Sequence, residues 1–278
     1  MLDCILDGLI DTLKLLPYLF VTFLLLEWLE HKLSKKNQKI LQKNKKYGPL
    51  IGSILGALPQ CGFSTMAASL FSSKIITMGT LISVFLATSD EMLPIMISEK
   101  IQILEILKII GFKIIVALIV GILIDLLFQT KQPREDIHHL CEKDHCDCDH
   151  DGIFFSSIKH TIKIVLFILI ANVGINLIIH WIGEESLKKL LLNNNIITYF
   201  IASLIGLIPN CASSVIMTEL YISSFISLGT LLSGLLTGSG LGILILLKSN
   251  DNPKENIKII SIIYIVGAIV GLLVDILL

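Results

Sequence analysis

Charge is what this chain has least of. Only 16% of its 278 residues are Asp, Glu, Lys or Arg, where soluble globular proteins carry about 25%. With 54% hydrophobic residues and a mean hydropathy of +0.82, too little polar surface remains to hydrate a globule on all sides. The composition predicts an integral membrane protein. Other absences narrow its function. No phosphate-binding glycine loop and no phosphorylated-aspartate motif occurs, which disfavours built-in ATP hydrolysis, and the H-E-x-x-H pattern of zinc proteases is missing. The net charge of −1 gives no reason to expect a nucleic-acid partner. The opening MLDCILDGLIDTLK has no basic region before its apolar part and no small-residue cleavage site, so Met1 is expected to remain. The six cysteines are not spaced as a disulfide framework. Cys61 and Cys211 share equivalent positions, Cys141, Cys146 and Cys148 crowd one polar loop, and Cys4 stands alone; this pattern favours reduced thiols.

What the chain does have is a second copy of itself. Residues 51–95 align with 201–245 without a gap, 16 of 45 positions being identical, and ILGALPQCGFS ending at Ser64 lies over LIGLIPNCASS ending at Ser214. The same offset of 150 carries Gly121 and Asp125 onto Gly271 and Asp275. Three parts follow: a first membrane repeat over 1–128, a polar loop over 129–152 and a second repeat over 153–278. Duplicated membrane units broken at matching places are the pattern of secondary transporters.

Long apolar spans are expected at Leu13–Leu33, Thr77–Ile97, Ile110–Phe128, Ile158–Ile182, Leu228–Leu247 and Ile259–Leu278, each enough for a hydrocarbon core of roughly 30 Å. Between the first and second spans of each half lie shorter pieces, Gly48–Gln60 with Cys61–Ser73 and Thr198–Asn210 with Cys211–Ile222. About 13 residues of helix reach only some 20 Å, so these are either re-entrant half-helices or short tilted spans. In both cases a half crosses the membrane an odd number of times, and its copy is inverted. The expected fold is therefore all-α and polytopic, with two tandem inverted repeats and broken or re-entrant helices at the centre of each. Lysines set the orientation. Lys32, Lys35, Lys36, Lys39, Lys43, Lys45 and Lys46 follow the first span, which makes that loop cytoplasmic by the positive-inside rule and both termini extracytoplasmic.

Pro59-Gln60-Cys61 and Pro209-Asn210-Cys211 carry the sharpest chemical signal. Proline breaks a helix and frees backbone carbonyls, which membranes tolerate only against protein or a water-filled cavity. Gln60, Cys61 and Ser64 with Asn210, Cys211 and Ser214 would then offer carboxamide, thiol and hydroxyl near mid-membrane. The competing reading is close helix packing, which small residues such as Gly52, Gly56, Gly62 and Ala212 also permit. A second motif, Ser89-Asp90-Glu91, sets two acids in an apolar stretch, while its counterpart around Ser239 keeps the serine without an acid. Intramembrane acids are costly unless paired, solvated or coordinating a cation, and a role in cation binding or proton coupling competes with a place at the outer interface. Glu219 is a further carboxylate of the second half. Glu27, Glu30 and His31, and Asn172, Asn176 and His180, are weaker signals of the same kind, as are Asp125 and Asp275. Lys113 either neutralises a buried acid or snorkels.

The polar loop holds seven nitrogen or sulfur ligands, His138, His139, Cys141, His145, Cys146, Cys148 and His150, within 13 residues. Imidazole with thiolate suits Zn²⁺, Cu⁺ or Cd²⁺, whereas the interleaved aspartates suit Mn²⁺. A transition-metal ion is expected there, with no tightly bound cofactor elsewhere; a plain low-complexity linker is the alternative.

LPQCGFS followed by LATSDEMLP, with IPNCASS and then GTLLSGLLTGSGLGILILLK, resembles the ten-helix heavy-metal exporters, an arsenic-permease-like family whose members are labelled arsenic efflux proteins or manganese transporters. The resemblance spans nearly the whole chain, His/Cys-rich loop included. It implies a permease of the cytoplasmic (inner) membrane exporting a metal or metalloid ion, with the lipid bilayer and, in a homo-oligomer, further copies of the chain as its other partners. A passive channel and an intramembrane enzyme are the rival classes, and flux coupled to a pH gradient without substrate cleavage would separate them from an exporter.

Overall fold

A computed structural model describes residues 47–58, 61–89, 91–128 and 196–277, with isolated positions at 20, 24, 158, 162, 165–167, 169–170, 173–174 and 191. All regular structure among them is helical. The first half contributes α1 (Gly48–Gly56), α2 (Cys61–Ser72), α3 (Met78–Ala87), α4 (Met92–Ser98) and α5 (Ile103–Leu127); the second contributes α6 (Ile196–Gly206), α7 (Cys211–Ile222), α8 (Leu228–Thr237), α9 (Gly242–Ser249) and α10 (Pro253–Leu277). The five elements recur in the same order, so the duplication read from the sequence is a structural one. The expected span Leu13–Leu33 lies outside the described residues, and Ile158–Ile182 is described only at isolated positions.

Among the described residues, four stretches are long and apolar enough to cross a membrane: Met78–Ser98 (α3 with α4), Ile103–Leu127, Leu228–Ser249 (α8 with α9) and Pro253–Leu277. Helices α5 and α10 start earlier than hydropathy suggests because their first turns carry Glu105 and Glu255. Hydropathy marks the lipid-buried stretch, while the helix itself runs on into the interface. Both present a row of exposed aliphatic side chains, Ile115, Ile119 and Leu123 on α5 and Ile265, Ile269 and Leu273 on α10. Such an apolar outer face fits acyl chains rather than water.

The difference from expectation lies inside the second span of each half. Each was read as one continuous helix, yet α3 stops at Ala87 and α4 starts at Met92, and α8 stops at Thr237 with α9 starting at Gly242. The Thr-Ser and Gly-Ser-Gly sequences in these gaps compete with helical hydrogen bonding or favour other backbone angles. Gly240 takes a left-handed φ of 54°, and the Ser239 amide turns to the Thr237 carbonyl at 2.9 Å. The Leu235 carbonyl thereby loses its ordinary helical partner.

Local chemistry fixes the ends of these elements identically in both halves. Thr77 caps α3 by accepting from the Thr80 amide at 3.1 Å, and Ser227 caps α8 by accepting from the Thr230 amide at 3.2 Å. Helix α2 ends with the Lys74 amide bonded to the Phe71 carbonyl and the Ile75 amide to the Leu70 carbonyl, and α7 repeats this with Ser224 to Tyr221 and Phe225 to Leu220. This paired closure puts Lys74 and Ser224 at φ 57° and 59°, the left-handed C′ position.

Packing builds two matching layers. Helix α3 is held between α1 and α5, and α8 between α6 and α10. All ten residues of α3 are buried, as are Gly229 to Thr237 of α8, so the two broken helices form the centre and touch each other. The halves are joined by an exchange: α2 packs on α9, and α7 packs on α4. Helices α2 and α7, the second members of the paired short helices and so the hairpin helices of the two halves, thus lie against the second piece of the other half's broken span.

Candidate functional site

The described candidates lie on the elements that join the halves: α2 packs on α9, α7 on α4, and α3 touches α8. Ser64, on the first turns of α2, is fully buried. Its neighbour across the molecule is Gly242, the first residue of α9. A Cβ at Gly242 would lie 2.9 Å from the Ser64 Cβ, 3.0 Å from its carbonyl oxygen and 2.7 Å from the Phe85 ring, so only glycine lets α9 come this close. The equivalent position in the first half is Met92, fully buried, and the contact of α4 with α7 is correspondingly the less extensive of the two.

On the second hairpin, Asn210 is buried and its carbonyl accepts from the Ser213 hydroxyl at 2.9 Å. Ser214 is half-buried and its carbonyl accepts from Thr218 at 2.7 Å. Cys61 and Cys211 are the first residues of α2 and α7; their side chains, and Gln60 as a whole, lie outside the described residues. Glu219 is exposed on α7, away from the centre, whereas its counterpart Ser69 is buried.

In the gap between α3 and α4, Ser89 is buried and its hydroxyl donates to the Ala87 carbonyl at 3.1 Å. Glu91 is half-buried and precedes α4 without capping it through its side chain. Asp90 lies outside the described residues. In the matching gap, Ser239 is 1% exposed, and among the described residues its Oγ has no hydrogen-bond partner. A buried hydroxyl left in this state costs about 1–3 kcal/mol.

Of the two readings of Lys113, snorkelling is the one the structure excludes: the residue is 0% exposed. Its ammonium donates to the Thr88 carbonyl, at the C-terminal end of α3, and to the Leu235 carbonyl of α8 at 2.9 Å. The last carbonyls of a helix carry the negative end of its dipole, and here two such ends, one from each half, meet one cation. Position 263, its counterpart, is a buried isoleucine. The signal available in the sequence is this asymmetry: the half that carries Asp90 and Glu91 also carries Lys113, where the other half has Ile263.

Asp125 and Asp275 serve a different purpose. Asp125 accepts from the Gly79 amide at 2.8 Å and the Thr77 hydroxyl at 2.7 Å. Asp275 accepts from the Gly229 amide at 2.8 Å, from the Ser227 hydroxyl, and from Tyr199 at 2.8 Å. Each carboxylate ties the end of one helix to the start of another.

Among the described residues no three of His, Cys, Asp and Glu come together as a metal-binding group. The ligands His138, His139, Cys141, His145, Cys146, Cys148 and His150 lie outside the described residues.

Duplicated helical halves, lipid-facing outer helices and a polar break at the centre define a multi-pass membrane protein. Over residues 2–181 and 162–278 the chain matches the model of a family described as "Putative, 10TM heavy-metal exporter". It belongs to that family. No curated protein and no solved structure matches it.

Proposed function

We propose that the protein is a secondary active transporter exporting a heavy-metal or metalloid ion, of arsenic or manganese type, across the cytoplasmic membrane. The observation that carries this reading is the reciprocal packing of α2 on α9 and α7 on α4. Two copies that each bury a hairpin helix in the other's broken span are related by a two-fold operation, and the breaks they cover lie at its centre.

The family's ten spans, divided between two equal halves, give five each. An odd number inverts the second half, placing the two-fold axis in the membrane plane and the breaks near mid-membrane, where carriers of this kind hold their cargo. The ion path then runs past Gln60, Cys61 and Ser64, past Asn210, Cys211 and Ser214, and through the gaps holding Ser89, Asp90, Glu91 and Ser239. Glu219, exposed on α7, serves as an outlying carboxylate at the approach. Rocking of one half against the other exposes the centre to each side in turn, driven by the proton gradient or the membrane potential. The His/Cys-rich loop gathers surplus metal on the cytoplasmic side.

The deciding experiment is a sensitivity panel of Mn²⁺, Cd²⁺, Zn²⁺ and arsenite in cells with and without the protein, read with intracellular metal content and followed by flux in proteoliposomes. Thiols favour arsenite and oxygen ligands favour Mn²⁺. Replacing Cys61 and Cys211 by serine is therefore expected to abolish arsenite export while leaving most Mn²⁺ export. Wild-type vesicles that move none of these ions would end the exporter reading.

A further inference from the structure

We infer that the Lys113 ammonium is a built-in occupant of a cation site, and that a hard metal or alkali cation takes its place by competing for the same backbone oxygens. The inference rests on the transporter reading and adds the site's ligands and the group that guards it.

Lys113 is the eleventh residue of the 25-residue α5, about 15 Å from its start at 1.5 Å per residue, and so midway through the span. An amine at that depth is stable only with partners in place. Two of those partners are carbonyl oxygens that the helix breaks have set free. Thr88 closes α3, while the Leu235 carbonyl is released because the Ser239 amide turns to Thr237. Unwound carbonyls and half-helix C-termini at mid-membrane are also the groups with which carriers hold small cations. A third oxygen is ready in the same break: the Ser239 hydroxyl, 1% exposed and without a partner among the described residues.

Carbonyl and hydroxyl oxygens select hard cations over thiophilic ones. The ammonium bridges the two halves through one carbonyl of each. An arriving ion that takes the Thr88 and Leu235 oxygens removes this bridge and recruits Ser239, so loading and release of the clamp are one event. The cation is either the cargo, for which Mn²⁺ is the probe, or a coupling ion, for which Na⁺ is the probe.

The test is binding of Mn²⁺ and of Na⁺ to purified full-length wild-type, Lys113→Met, and Lys113→Met with Ser239→Ala, by calorimetry in detergent. If the ammonium holds the site nine-tenths of the time, its removal tightens the apparent affinity about tenfold, and the added Ser239→Ala reverses much of that gain. The ion that shows the gain is identified as cargo or coupling ion by whether proteoliposomes accumulate it. Unchanged or weaker binding of both ions by folded Lys113→Met overturns the inference. Should Lys113→Met fail to fold, wild-type protein decides: labelling of Lys113 by a small amine reagent, followed by mass spectrometry, rises when Mn²⁺ or Na⁺ is added, and labelling that neither ion alters is the contrary result. Wild-type vesicles that transport nothing reject the exporter reading instead, whatever the binding shows.

Discussion

Asp125 and Asp275 sit where a membrane helix ends, and each reaches across to the first turn of a different helix. Both bond an otherwise orphaned glycine amide at 2.8 Å and the capping hydroxyl beside it. Charge-assisted bonds of this kind leave a costly vacancy when one partner is removed. Asp125→Ala and Asp275→Ala are expected to destabilise the protein by about 1–3 kcal/mol each, seen as a lower melting temperature in detergent; lost transport with an unaltered melt would assign them to the ion path instead. The C′ residues Lys74 and Ser224 make the opposite prediction. Both hold a left-handed backbone that glycine adopts without strain, so Lys74→Gly and Ser224→Gly should each stabilise by about 1 kcal/mol. Guanidinium or thermal unfolding of the single variants checks this.

At the scale of elements, the short pieces around the Pro-Gln-Cys and Pro-Asn-Cys sequences were readable because proline and glycine punctuate them, and α2 and α7 begin at Cys61 and Cys211 as expected. The gaps at 88–91 and 238–241 were not read as breaks. Hydropathy there is dominated by the flanking Ile, Leu and Val, and it cannot register a chain that stays in the membrane but leaves the helix. Ser239 beside Gly238 and Gly240 was the available clue. The exchange of hairpin helices was not legible either, since a repeat reveals that two units match without revealing which surface of one meets the other. Gly242 tests that contact. A methyl group there meets the Ser64 backbone and the Phe85 ring, so Gly242→Ala should cost about 1–3 kcal/mol and reduce flux, whereas Gly111→Ala, with open space around it, should do neither. Equal behaviour of the two variants would show that the close α2–α9 approach contributes neither to stability nor to flux.

For the whole molecule, the reciprocal packing means that each half supplies part of the other's core. Ile243, Ile245 and Leu246 of α9 belong to one apolar cluster with Ala67, Ala68 and Phe71 of α2, and Met92 and Met96 of α4 share another with Ile216, Met217 and Leu220 of α7. Residues 1–140 and 141–278 produced as separate chains in one cell are therefore expected to copurify as an active pair, and neither should accumulate alone. Copurification on an affinity tag measures this, and independent accumulation would show self-sufficient bundles.

The match between the halves is also imperfect in packing where α9 opens on Gly242 and α4 on Met92. If alternating access interchanges the shapes of the two copies, the snug junction and the looser one cannot trade places at zero net energy. Such a carrier would idle facing one side of the membrane, and the side would be written into a single missing side chain.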